Sequence, residues 1–432
     1  MGLFIGLGGD GTRPTFSYDY YYGVEIDTST AATAGTRLGR PELHVNLPIQ
    51  KKMKRCVLKD DGSVAYYLGE TDSTKTSTGG SADLTGASGQ VMVEIPKHYR
   101  RFEYEGTKIR CLLSEYALPG FTEVPLMYVS AYEAAVDRTN SKLASVVNAT
   151  AQYRGGGNQS DWDTLFKTQL GRPATAISLT SYRSLARARG GNWNCYTYEA
   201  HKTLFWLFTV EYNTLNSQAA YNAEVDANGY RQGGLGDGLT TMANWDVFGN
   251  YPVMPCGVTN SLGNKTGVVS YTVKKSDDGS LASQTVSVPS YRGVENPFGH
   301  VWKWTDGVLF LIQSANDGGK SRVYVAKQPA DYNSIDVSNF RYAGNLPRSE
   351  GWMKTILFGD YGDMLPASVG GSSTTYWSDY FYTNIPTSGV ATRGLWLGGS
   401  ADGSSAGLGY ANSYIAPSDS GARVGSRLCF IP

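Results

Sequence analysis

Residues 197–215 read Thr197-Tyr-Glu-Ala-His-Lys-Thr-Leu-Phe-Trp-Leu-Phe-Thr-Val-Glu-Tyr-Asn-Thr-Leu215. Leu204, Leu207, Phe208, Glu211, Tyr212 and Leu215 recur at spacings of three and four. That period lays them along one face of a helix. Phe205 and Trp206 widen the face, so the helix is expected to be mostly buried. On its N-terminal side Ser181–Arg189 reads as a helix ending at Gly190-Gly191. Asp161–Leu170 has Asp caps and a Gly171 stop, and Ser130–Val147 is helix-compatible. Beyond residue 217 the helical period is lost. Val268–Val288 holds two strand patterns around Ser276-Asp-Asp-Gly279, where the Asp-Gly pair accepts positive φ. Val301–Thr305 and Val308–Gln313 are further strands. Helices followed by irregular strands indicate an α+β domain over 121–432.

Upstream of Pro119-Gly120 the runs are short and strand-like: Arg55–Leu58, Val64–Leu68 and Gln90–Pro96. The Ser/Thr/Gly-rich stretch 71–89 reads as an exposed loop. Arg101–Tyr104 and Lys108–Leu113, split by Glu105-Gly106, form a hairpin pattern. Residues 24–120 are therefore expected to be a small β-rich N-terminal domain. Residues 1–23, Gly-rich and then aromatic, read as a joining arm, either threaded into a partner chain or free.

Lys plus Arg is 38 and Asp plus Glu is 38. A net charge of zero argues against nucleic acid as a partner. Lys51-Lys-Met-Lys-Arg55 is one short basic cluster on a neutral chain, read as a solvated strand end. No apolar run reaches the length of a membrane span, and the first residues lack the basic and apolar regions of a signal peptide. The Gly6-Leu-Gly-Gly-Asp-Gly11 run matches GxGxxG without the strand before it or the helix after it that phosphate binding needs. Five cysteines, at 56, 111, 195, 256 and 429, show no CxxC spacing. His201 and His300 sit among bulky apolar residues and read as structural. Asp161 and Asp163 read as helix caps. Glu295-Asn-Pro297 and Asn244-Trp-Asp246 carry calcium-site residue types in scrambled order, so no metal is assigned. HExxH does not occur, and no catalytic residue or cofactor is expected.

The end of the chain has a different composition. From Tyr376 to Pro432 there is no Lys, Glu, Gln, His or Met, whereas there are nine Ser, nine Gly and five Tyr. Ordinary exposed surfaces use Lys and Glu freely. A surface of Tyr, Ser, Gly, Asn and Asp instead offers rigid amphipathic rings and adaptable small polar groups, the composition of a paratope. Trp377, Phe381, Leu395, Trp396, Leu397, Leu408 and Leu428 supply anchors to a core.

Several motifs then point to a family. Gly299-His-Val-Trp-Lys-Trp304 looks like the Gly-Asn-Val-Trp-Glu-Trp core strand of the formylglycine-generating-enzyme branch of the C-type lectin fold. Gly425-Ser-Arg-Leu-Cys-Phe430 looks like its closing Gly-x-Arg strand. Leu204–Tyr212 with Asn216–Ala219 looks like its second helix and exit, and Gln232–Gly238 like a recurring loop. The chain resembles the variable proteins of diversity-generating retroelements over roughly 24–432, and most strongly the tail-fibre receptor-binding proteins of temperate phages. The resemblance implies a C-type lectin-like domain with a variable region at about 376–428. There, randomised adenines of AAC or AAT codons yield Asn, Tyr, Ser, Thr, Asp, Gly and a few others, but not Lys, Glu, Gln, Met or Trp.

Trp377, Trp396, Gly398, Gly399, Gly407, Leu408 and Gly409 are the implied fixed scaffold. The implied contacts are Tyr380, Tyr382, Ala391, Thr392, Arg393, Ser400, Asp402, Ser404, Ser405 and Tyr410, followed by Asn412, Ser413, Tyr414, Ile415, Ser418, Asp419, Ser420, Gly421, Ala422 and Arg423. The implied partners are a host bacterial surface receptor and other tail-fibre proteins. The implied assembly is a homotrimer at the distal tip of a virion fibre, without nucleic acid or membrane insertion. A bacterial surface adhesin of the same fold is the alternative. A relative that oxidises cysteine with its own cysteines and copper is the other, and Cys195, Cys256 and Cys429 form no close pair in sequence for it.

Overall fold

The computed structural model describes residues 18–240 and 252–432. Most of the expected arm, the Gly6–Gly11 run and Asn244-Trp245-Asp246 lie outside the described residues. The described chain is α+β. Strands account for 36% and helices for 14%, so sheets rather than helices wall the core.

The helix read from the sequence runs from Tyr198 to Tyr212. Thr197 caps it, its hydroxyl accepting from the Ala200 N–H at 3.2 Å. Asn213 ends it in the left-handed region, φ 55°. Every side chain from Ala200 to Tyr212 is buried, so it is a central helix enclosed on all sides. Trp206 Nε1 donates to Gly362 O at 2.8 Å, and the Trp206 ring touches Phe102, Phe358 and Trp377. The helix over Ser181–Arg189 is observed as Leu179–Arg187, capped by Ser178.

Three sheets surround that helix. The first has the order Thr36–Gly39, Tyr22–Asp27, Lys108–Ser114, His98–Glu105, Thr122–Val124. It contains the expected hairpin. The second runs Trp193–Cys195, Leu428–Phe430, Met127–Ser130, Gln90–Ile95, Lys54–Leu58, Val64–Tyr67. In the third, Phe340–Asn345, Ser321–Ala326, Trp302–Gln313, Val390–Leu397, Ala411–Ser413, Tyr380–Thr383, Gly351–Ile356 and Pro366–Val369 lie side by side. Val424–Gly425 pairs in parallel with Trp302–Lys303. The hairpin over 268–288 forms as Gly267–Val273 and Gln284–Tyr291, with Gly279 at φ 76°.

Several expectations are corrected. Ser130–Val147 is not a helix. Asp137 turns the chain by accepting from the Thr139 and Asn140 N–H groups, each at 3.1 Å. Ser141 takes a positive φ of 53°, and Ala135–Asp137 pairs with Lys142–Ala144. Over Asp161–Leu170 a 3-10 turn, Ser160–Trp162, is followed by further tight turns rather than a helix. There the Phe166 N–H goes to Asp277 Oδ1 at 2.6 Å, and Arg154 grips Asp163 at 2.7 Å. Carbonyls three residues back and, for Phe166 and Leu170, side-chain oxygens receive the N–H groups that a helix would send to i−4 carbonyls. The two strands read over 301–313 are one strand, kinked where the register shifts between Thr305 and Leu309. Gly307, φ 90°, absorbs the bulge.

The boundary drawn at residue 120 does not divide the core. Gln90–Ile95 pairs on one side with Lys54–Leu58 and on the other with Met127–Ser130, which in turn pairs with Leu428–Phe430. One hydrophobic cluster runs from Tyr22 through the central helix to Phe430.

Candidate binding surface

The C-terminal strands of the third sheet set its aromatic residues in register. Tyr382 lies opposite Asn412, Asn412 opposite Trp396, and Trp396 opposite Trp304. Side chains at paired positions stand on the same face. The rings form a continuous row. Trp352 meets Tyr380 at 5.4 Å between centroids, Tyr380 meets Tyr382 at 4.9 Å, and Tyr382 meets Tyr410 at 5.8 Å. Tyr410 packs on Trp302 at 4.4 Å, Trp302 on Trp396 at 6.0 Å, and Trp396 on Trp304 at 5.2 Å. Tilted and edge-on contacts of this kind hold rings rigid.

Where the row meets the 421–424 segment, a recess of about 370 Å³ opens. Trp302, Tyr382, Trp396, Asp402, Asn412, Gly421, Ala422, Arg423 and Val424 line it. Three buried polar atoms of the row have no hydrogen-bond partner among the described residues: Trp304 Nε1, Trp396 Nε1 and Tyr410 Oη. Burial, then Asp402 and Tyr382, push the Tyr410 phenol far above its ordinary range. The two phenols are near enough to influence each other, yet not aligned for a geometric hydrogen bond.

The loop beside the recess is fastened through its main chain. His201 Nε2 lies 2.6 Å from Leu408 O, and its Nδ1 lies 3.0 Å from Tyr196 Oη. Burial pushes the His201 imidazole down to about 4, so it is neutral and donates to Leu408 O. The Leu408 N–H donates to Ser217 Oγ at 3.0 Å, and the Gly409 N–H to Asp379 Oδ2 at 2.8 Å. Gln218 Nε2 donates to Gly403 O at 3.0 Å. Gly407 approaches Asp379 so closely that a Cβ there would stand 1.9 Å from Oδ1.

Asp379 is 2% exposed. Burial raises its carboxyl well above the ordinary carboxylate value, against the opposing Gly409 N–H. A raised folded value means full stability at low pH, lost as pH climbs from the unfolded value toward the folded one. Asp379→Asn stays neutral and still accepts from Gly409. It is therefore expected to melt a few degrees higher than the parent at pH 7, with the gap closing near pH 4 in scanning calorimetry.

The expected contact residues divide into distinct groups. Tyr382, Asp402, Asn412, Gly421, Ala422 and Arg423 line the recess, and Tyr380 stands beside it against Trp352. Ser404 and Ser405 lie on the Gly403–Ser405 turn, and Tyr414 is exposed. Ala391, Thr392 and Arg393 are half-buried on the Val390–Leu397 strand, where Ile415 O accepts from the next residue's N–H, that of Gly394, at 2.9 Å. Ser418 and Ser420 face a separate groove against Ser178, Thr180, Ser181 and Ser184. Asp419 accepts from the Ala416 N–H at 3.0 Å, closing that loop on itself.

Three expected contacts are corrected: Ser400, Tyr410 and Ser413 are fully buried. Ser400 Oγ is tied to Asp402, and Ser413 Oγ to Thr383 Oγ1 at 3.1 Å on the opposite face of the sheet. Tyr410 is wedged behind Trp302. Conversely Trp396, taken as fixed scaffold, is half-buried and lines the recess, as does Trp302, while Trp352 extends the row. The sequence assigns Trp396 to the fixed scaffold because a randomised codon cannot encode Trp, and Trp302 to a core strand through the resemblance of its motif. The spacing of Trp302 and Trp304 on one strand, two residues apart, was the signal that they share a face.

The remaining chemistry-bearing residues point inward. Glu133 holds His300 Nδ1 and pairs with Lys303 Nζ at 2.9 Å, and His300 Nε2 receives the Met254 N–H at 3.2 Å. Burial works against the Glu133 charge, but Lys303 and His300 outweigh it and hold the carboxyl at about 2. Glu295 accepts from the Gly257 and Thr259 N–H groups at 2.9 and 2.7 Å, so its carboxylate staples a buried loop. All five cysteines are buried and unpaired. Burial lifts the thiols of Cys195 and Cys256 well above their ordinary value and that of Cys429 to about 12, which leaves little thiolate for attack. Among the described residues no group of His, Cys, Asp and Glu is placed to hold a metal ion. No known protein family and no curated protein matches this chain.

Proposed function

We propose that this chain is the receptor-binding protein of a phage tail fibre, built on a C-type lectin-like scaffold of the formylglycine-generating-enzyme branch. Its variable C-terminal face grips a ligand on the bacterial surface, and it works as a homotrimer with other fibre proteins. One observation carries the reading: the Lys-free, Tyr- and Ser-rich stretch supplies the half-buried rings and polar walls of a single recess. The two resembling motifs also meet in space. Val424–Gly425 pairs with Trp302–Lys303, and Ser426 Oγ donates to Trp304 O at 2.8 Å. Arg427, fully buried, donates to Ser130 O at 3.1 Å and Asn296 O at 2.6 Å. Raised, buried thiols favour a binding role over an oxidising one. Several copies on one fibre raise avidity by about 10²–10⁴ without new contacts.

An array of bacterial surface glycans and surface proteins tests this. The protein is expected to bind a subset, and Tyr380→Ala/Tyr382→Ala/Tyr414→Ala is expected to bind at least about tenfold more weakly. Equal binding by parent and variant would remove this surface from the account. Sequencing progeny genomes tests the variation itself: identical DNA for 376–428 in every isolate would discard it.

A further inference from the structure

We infer that the recess takes one neutral sugar ring, a pyranose, stacked on indole and needing no metal ion. This rests on the proposed reading of the surface and names the chemistry that the surface recognises. The recess, at about 370 Å³, is sized for one ring rather than an extended chain. Its walls are planar: the indoles of Trp302 and Trp396 and the phenol of Tyr382. An aromatic face carries negative potential and attracts the polarised C–H groups on the flat side of a pyranose. Asp402 and Arg423 line it with one charge of each sign. A cation therefore meets Arg423 and an anion meets Asp402, so a neutral ligand fits best.

Hydrogen-bonding capacity separates a sugar from an apolar side chain. Trp396 Nε1 needs an acceptor, and Tyr410 Oη, fully buried behind the row, has no partner among the described residues. Asn412 Oδ1 already accepts from the Tyr414 N–H at 2.7 Å, which turns the amide Nδ2 away from that bond as a further donor. A hydroxyl donates and accepts at once, so adjacent hydroxyls on one ring can serve an indole N–H and an amide N–H together. A Phe or Leu side chain from a protein would leave those groups unmet.

Indole fluorescence reports on the recess directly. The full chain is titrated with glucose, galactose, mannose and their N-acetylated amines, each to about 50 mM. For at least one of them a saturable change is expected, with a dissociation constant on the order of 1 mM, unchanged by EDTA. Trp396→Phe keeps a ring and removes the N–H; it is expected to weaken binding about five- to tenfold. Tyr382→Ala is expected to weaken it at least as much, whereas Tyr104→Ala, exposed on the His98–Glu105 strand of the first sheet, leaves it unchanged. No saturable response to any sugar overturns the inference, as does loss of the response in EDTA, equal affinity in Trp396→Phe, or a response to tyrosine amide in place of sugar. The surface reading fails separately: if the array shows no loss with the triple Tyr variant, sugar binding here is unrelated to host recognition.

Discussion

A fragment beginning at residue 121 is expected not to fold. Removing residues 1–120 takes away three of the six strands of the second sheet and leaves Met127–Ser130 with an open edge. Val57, Leu58, Val91, Met92, Val93 and Ile95, each fully buried, are lost from the core. Burial of each such side chain is worth about 1.5–3 kcal/mol, and six of them rival the roughly 5–15 kcal/mol that holds a domain together. The central helix also loses Phe102, which packs against Trp206 at 5.5 Å. Circular dichroism with a thermal melt checks this. A sharp cooperative transition in the fragment would show that 121–432 is a free-standing unit after all.

Arg427→Leu is expected to destabilise the protein by about 3–5 kcal/mol. Arg427 is fully buried between the closing strand and the core. Its guanidinium donates to three carbonyls, those of Ser130, Glu295 and Asn296. Leucine fills much of the volume and supplies no donor, so three buried acceptors are stranded. Chemical denaturation measures the loss. A midpoint within error of the parent would mean that these carbonyls find other donors. The flat, multi-donor shape of arginine matters here, so Arg427→Lys is expected to recover only part of the stability.

The legible parts of the sequence were those with local causes. The Tyr198–Tyr212 helix carries its own cap, its own period and its own stop residue. The Gly267–Tyr291 hairpin announces itself through Asp278-Gly279. The misread parts have causes far away in the chain. Tyr132-Glu-Ala-Ala135 has helix-forming residues, but the sheet register and the Asp137 turn decide its shape. Pro119-Gly120 has the composition of a linker, yet Met127–Ser130 inserts between strands from both ends of the chain.

The surface shows the same split. Composition located the stretch, because depletion of Lys and Glu is a property of the whole segment. It did not sort Tyr382 from Tyr410, since strands of three or four residues are too short to display an alternation. Nor did it reveal that Trp302, more than seventy residues upstream of Tyr376, helps to line the recess.

The fastening of the 403–409 loop has one more consequence. His201, Ser217 and Gln218, together with Asp379, all hold peptide groups of that loop rather than its side chains. None of these bonds involves the side chains at 404 and 405, so the path does not depend on what stands at those two positions. Such a platform keeps its shape under substitution at those two positions, as a page does under new lettering.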